Sequence, residues 1–169
     1  RHVFERRPFQ GAAPEAAEFI FVGLDANYSE HVEARPIFAD LLAYLEDGVR
    51  FWRERGVHHP FLLPAYGKGD GYKYHQTFSK IGFNSSHAGE VCFVELLHLP
   101  TFGRSSLEAG DLNCDHLTRL KYAIETGPVR HVFVPDSVGK LMRSSGLFPW
   151  MPRVPIDRGE PLRLWCELG

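Results

Sequence analysis

The stretch Phe19-Ile-Phe-Val-Gly-Leu-Asp-Ala-Asn-Tyr28 decides how this chain is read. Four apolar residues stop at Gly23, and an acid, an amide and a phenol follow within five positions. A continuous apolar run of this length suits a strand buried on both faces of a parallel sheet. Ligands of open α/β sheets bind just beyond the carboxyl ends of such strands, so Asp25, Asn27 and Tyr28 stand where chemistry is expected. The alternative for Asp25 and Asn27 is purely local: an Asx turn and a left-handed turn position.

Outward from this stretch, strands alternate with helical patterns. Ile37, Phe38, Leu41, Leu42, Leu45, Val49 and Trp52 recur at helical spacing after Pro36, which suits a first turn. Residues 56–71 form a long, apolar loop, of a size that is usually functional or a lid. Asp70 is expected to cap a short helix carrying Tyr74, Phe78 and Ile81 on one face, ended at Gly82. Residues 90–97 read as a second strand with Glu95 and His98 at its tip. Asp111 or Asn113 caps the next helix, with Leu117, Leu120 and Ile124 inward. Residues 131–134 form a third strand, and Asp136 or Ser137 caps a helix through Val138, Leu141 and Met142. Residues 146–161 read as Pro-rich loop and 162–167 as a fourth strand. Residues 1–17 read as an irregular arm. The expectation is one domain over residues 1–169: an α/β fold, with a four-stranded parallel sheet in a three-layer α/β/α arrangement.

Composition narrows the function. The 169 residues are 44% hydrophobic and 24% charged, enough for a core, and the net charge of −2 announces no nucleic-acid binder but permits a local basic face. Cys92, Cys114 and Cys166 are odd in number and form no CxxC pair, which disfavours a zinc or iron–sulfur site and suits a cytoplasmic, reducing setting. No membrane span or signal peptide is read in the sequence. Neither GxGxxG, GxxxxGK[ST], GxSxG nor HExxH occurs, so nucleotide-cofactor, ATPase, serine-hydrolase and zincin readings lose their support.

Three further groupings carry chemistry. Asp25, Glu95, Asp136 and Glu167 would all lie along one edge of the sheet, a set that suits a divalent cation and a metal-dependent phosphoesterase. Among nine histidines, His75 and His98 lie nearest the expected pocket and could steady a leaving anion. Tyr66, Lys68, Tyr72, Lys73, Tyr74 and His75 interleave rings with cations, as base stacking beside phosphate contacts requires.

The run Gly23-Leu-Asp-Ala-Asn-Tyr28, followed by a pocket loop and short helix over 72–82 and by Phe133-Val-Pro-Asp-Ser-Val, resembles the uracil-DNA glycosylase superfamily. The likeness spans residues 19–142, mostly as element order; only the first motif is sequence-like. It implies a DNA N-glycosylase that acts on uracil or a related damaged base in single- or double-stranded DNA, with strand order 2-1-3-4. Asp25 would activate water, and Gly23, Leu24, Asn27, Tyr28, Tyr74 and Glu95 would form the base pocket. His98 or His75 would serve the departing base, and Lys68, Lys73, Arg104 and Lys140 would hold phosphates. No metal or cofactor is implied. Ala26 replaces the usual Pro, and Glu95 stands where the family reads the base with Asn. No His-Pro-Ser motif follows the fourth strand up to Gly169, so that role passes to His75 or His98 or lies outside these residues. The non-enzymatic alternative is a nucleic-acid-binding module of the same fold. The oligomeric state is left open.

Overall fold

The computed structural model describes residues 8–28, 31–67, 69, 71–98, 107–126, 130–149, 151 and 163–168, the last group and Arg130 through their backbone. The chain is a mixed α/β fold. Strands β1 (Phe9–Gly11), β2 (Phe19–Gly23), β3 (Val91–Glu95), β4 (Arg130–Val134) and β5 (Arg163–Leu168) form one sheet in the order β1-β3-β2-β4-β5. β3, β2 and β4 run parallel, with Gly23 level with Glu95. β1 pairs antiparallel with β3, and β5 antiparallel with β4.

The four expected strands thus occur in the order expected for them, with two corrections. The sheet has five strands, because the arm over 1–17 contains β1. It is not all parallel, because β5 runs the other way. Antiparallel strands at both edges leave the parallel part buried, which accounts for the unbroken apolar runs of β2 and β3.

Side chains alternate across β2. Ile20 and Val22 enter a core with Cys92, Val94, Leu117, Leu120, Ile124, Val138 and Met142, under α4 (Cys114–Thr126) and α5 (Asp136–Ser144). Phe21 enters the opposite core with Phe93, Trp52 and Phe78. That face is covered by α2 (Gly48–Arg55) and α3 (Tyr72–Ser79), with α1 (Phe38–Glu46) preceding them. Helices therefore cover both faces. Phe21 stacks on Phe133 with ring centroids 4.6 Å apart and meets Phe78 edge-on at 4.8 Å, geometries that add to their burial.

Several local expectations change. The single helix over 37–52 is two, broken at the extended Asp47, whose carboxylate accepts from the Arg50 N–H at 2.9 Å and caps α2. Ile81 lies beyond α3 and is exposed. Asn113 caps α4, accepting from the His116 N–H at 2.9 Å, while Asp111 accepts from the Glu108 N–H in the preceding turn. α5 follows Pro135 and has no side-chain cap. The cap expected from Asp70, and the helix stop at Gly127-Pro128, lie outside the described residues.

The long loop is not a loose lid. It winds into two 3₁₀ turns, Pro60–Leu62 and Pro64–Tyr66, and buries Phe61 and Tyr66 with Tyr28, Val32, Ile37 and Leu41 in a third small core. Phe61 and Tyr66 stack 4.1 Å apart. Arg35 donates to the Tyr66 carbonyl at 3.0 Å and lies over its ring. Among the described residues, no helix is long and apolar enough to cross a membrane.

Candidate functional site

A cavity of about 300 Å³ opens at the carboxyl ends of the three parallel strands. Its polar wall comes from the β2 tip (Gly23 to Tyr28), from Glu95 at the end of β3 and from Ser137 after β4. Tyr44, His59, Phe61, Tyr74, His75 and Phe93 supply rings. The site lies at β2, where successive connections leave for opposite neighbours, β3 and then β4. Such switch points open a crevice between the departing loops.

Gly23 decides what fits at the base of this wall. A Cβ built on it would lie 2.0 Å from Glu95 Oε2, so the Glu95 carboxyl occupies the space that any side chain at 23 would fill. Oε2 is shielded from solvent and has no hydrogen-bond partner. Burial, with a smaller push from the Asp25 carboxylate, raises the Glu95 pKa to about 8. At neutral pH Glu95 is mostly a neutral acid that can donate a hydrogen bond. The strand end that carries it is held from the other side of the sheet, where His116 Nε2 donates to the Glu95 carbonyl oxygen at 2.7 Å.

Beside Glu95 lies a group of three histidines. His58 Nε2 and His75 Nδ1 share a hydrogen bond at 3.2 Å, and His59 stacks on His75 with centroids 3.6 Å apart. His59 Nδ1 accepts from the Phe61 N–H at 3.1 Å, which places that ring's proton on Nε2. Burial lowers all three: His58 to about 3, and His59 and His75 well below the usual range, with their neighbours adding to the effect. The group is therefore neutral. Burial raises the hydroxyls of Tyr28, Tyr44 and Tyr74, with Glu95 among the further causes, so they stay protonated.

The structure brings Asp25, Gly23, Leu24, Asn27, Tyr28, Tyr74, His75 and Glu95 together around one cavity. His98 is not among its lining residues; its ring faces His116 at 6.2 Å. Lys73 is exposed on α3, and Lys140 pairs with Asp136 at 2.9 Å. Lys68 and Arg104 lie outside the described residues. Tyr66 is a core residue rather than a stacking platform.

The four-carboxylate edge does not form. β5 is antiparallel, so Glu167 registers with His131 near the start of β4, away from the carboxyl ends. Among the described residues no three His, Cys, Asp or Glu side chains could hold a metal ion together.

Sequence reasoning missed Gln10, Tyr44, His59, Phe61 and Phe93 as lining residues. Gln10 sits in β1, is 5% exposed, and its Nε2 is shielded without a partner. An unsatisfied buried amide of this kind costs about 1–3 kcal/mol. No family model matches the chain, and neither a curated protein nor a solved structure matches it significantly.

Proposed function

We propose that this chain is a base-excising hydrolase of the uracil-DNA glycosylase type, cleaving the N-glycosidic bond of a nucleotide taken out of the stack. One observation carries the reading: Asp25 and the buried acid Glu95 both line a ring-walled cavity of about 300 Å³ at the ends of parallel strands. The volume is at the lower end of small-molecule sites, and flat rings on several sides suit a flat base.

The two acids would divide the work by environment. Departure of a base leaves an oxocarbenium-like sugar, which a carboxylate stabilises. Asp25 takes this role and orients the water that adds to C1′, while the C1′–N bond breaks and its electron pair leaves with the base. The water's proton passes to Asp25 and on to solvent. Neutral Glu95 donates a hydrogen bond to the base as negative charge builds on it, and Tyr74 and the neutral His75 add uncharged polar groups at the same wall. No step calls for a metal.

The test uses oligonucleotides carrying uracil, hypoxanthine or xanthine, single- and double-stranded, in excess EDTA, scored for abasic sites. Wild type should excise at least one base. Asp25→Asn should lower the rate about 10²–10⁴-fold, as expected for loss of a positioned base. Excision that survives Asp25→Asn unchanged removes Asp25 from the mechanism, and wild type without excision of any damaged base overturns the glycosylase reading.

A further inference from the structure

β1 brings Gln10 to the cavity. Gln10 lies opposite Phe93 in the antiparallel ladder, and Glu95 is two residues further along β3. Opposite residues point to the same side of a sheet, as do residues two apart, so Gln10, Phe93 and Glu95 share the cavity face. The diagonal placing puts the Gln10 and Glu95 side chains roughly 7 Å apart at their roots, close enough for their polar ends to address one small ligand. All three line the cavity. Gln10 Nε2 and Glu95 Oε2 are both shielded and both without a hydrogen-bond partner.

A buried amide beside Phe93 and Tyr44 has no packing role that Met or Leu could not fill. An N–H left unpaired in the empty fold, at the wall of a ligand cavity, is a donor awaiting an acceptor. We propose that Gln10 is a specificity-determining residue of this cavity, its side-chain N–H donating to a carbonyl oxygen of the bound base beside the Glu95 carboxyl. The occupant then belongs to the oxo-bases. Adenine carries no carbonyl oxygen and would turn its amino N–H toward the Gln10 N–H, leaving both donors unpaired, which is how a hydrogen-bonding site rejects a ligand that lacks the matching group. The identity of the occupant as a base rests on the glycosylase reading; the donor role of Gln10 is tested separately from it.

The experiment compares wild type with Gln10→Met, which keeps length and removes the polar atoms. Thermal melting, titration with free uracil and free adenine, and base excision are measured on both. The expected result is a Tm equal to or above wild type, since an unsatisfied amide has been removed, together with uracil binding weakened about tenfold and adenine binding unchanged. A residue kept only for packing would show the reverse: lower Tm and untouched uracil affinity. That outcome, or equal weakening toward both bases, overturns the proposal. In wild type alone, the Gln10 side-chain amide resonances should move on uracil titration and not on adenine titration. This measurement stands if the variant does not fold, and an amide that ignores uracil likewise overturns the proposal. Wild type that excises bases while Gln10 is indifferent keeps the glycosylase and discards Gln10. Uracil binding through Gln10 without excision does the opposite.

Discussion

At the residue scale the site turns on a missing side chain. Gly23 leaves the space into which the Glu95 carboxyl folds, and that enclosure is what keeps Glu95 neutral. Gly23→Ala should therefore act on the chemistry more than on the fold. The group it would strike is the far end of a flexible side chain, which can swing away, so the expected stability loss is below about 1 kcal/mol. Under the proposed glycosylase function, the displaced carboxyl would lower excision about 10²-fold, the usual effect of misplacing a reacting group by an ångström. Denaturant melts and single-turnover rates on the same preparation check this, and an active Gly23→Ala enzyme would show that the position of Glu95 does not matter. Gly23, Asp25, Asn27 and Tyr28 were legible in the sequence because one short segment holds them. The histidine group was not: His58 and His59 meet His75 only because the intervening loop folds back through two tight turns.

At the element scale the smallest strand matters most. β1 has three residues, too few for periodicity to show, and its sequence Phe9-Gln-Gly11 sits in a stretch rich in Pro and Ala. What fixes it is backbone contact. Gly11 has φ of +79°, and a Cβ there would lie 2.4 Å from the Val91 carbonyl oxygen; a Cβ on Gly48, at the start of α2, would lie 2.6 Å from the Gly11 nitrogen. Gly11→Ala should cost at least about 2 kcal/mol, from left-handed strain plus a clash with a main-chain atom that cannot rotate away. Urea denaturation measures it, and a loss under about 0.5 kcal/mol would contradict the close approach. The direction of β5 was equally hidden. Six residues after a Pro-rich stretch of sequence specify a strand, but not which way it enters the sheet. That reversal takes Glu167 away from the edge where Asp25 and Glu95 stand.

At the scale of the whole molecule, the buried titratable groups pull stability in two directions. Glu95 has a folded pKa near 8, above its unfolded value, so its contribution is fully present below about pH 4.5 and is lost as pH rises through 8. His58, His59 and His75 are depressed in the fold; their contribution is present above about pH 6.5 and is lost as pH falls, toward 3 for His58. Three histidines outweigh one carboxyl on the acid side, so the two limbs cancel and stability peaks at about pH 7. Each proton linked in this way tilts the curve by up to about 1.4 kcal/mol per pH unit. Denaturant melts from pH 4 to 9 trace the curve, and Glu95→Gln should flatten the limb above about pH 7 while the histidine limb below it remains and steepens. An unchanged alkaline limb in that variant would mean that Glu95 does not titrate as its burial requires.

The Phe21 core also has an optical consequence. Trp52 packs in it against Phe78 and meets the His58 ring edge-on at 5.6 Å. An indole in contact with an imidazole responds to the charge on that ring. Trp52 thus couples an emission signal to the protonation of His58, which is hydrogen-bonded to His75 in the cavity wall, so that the fold carries a fluorescent gauge of the acid side of its own site.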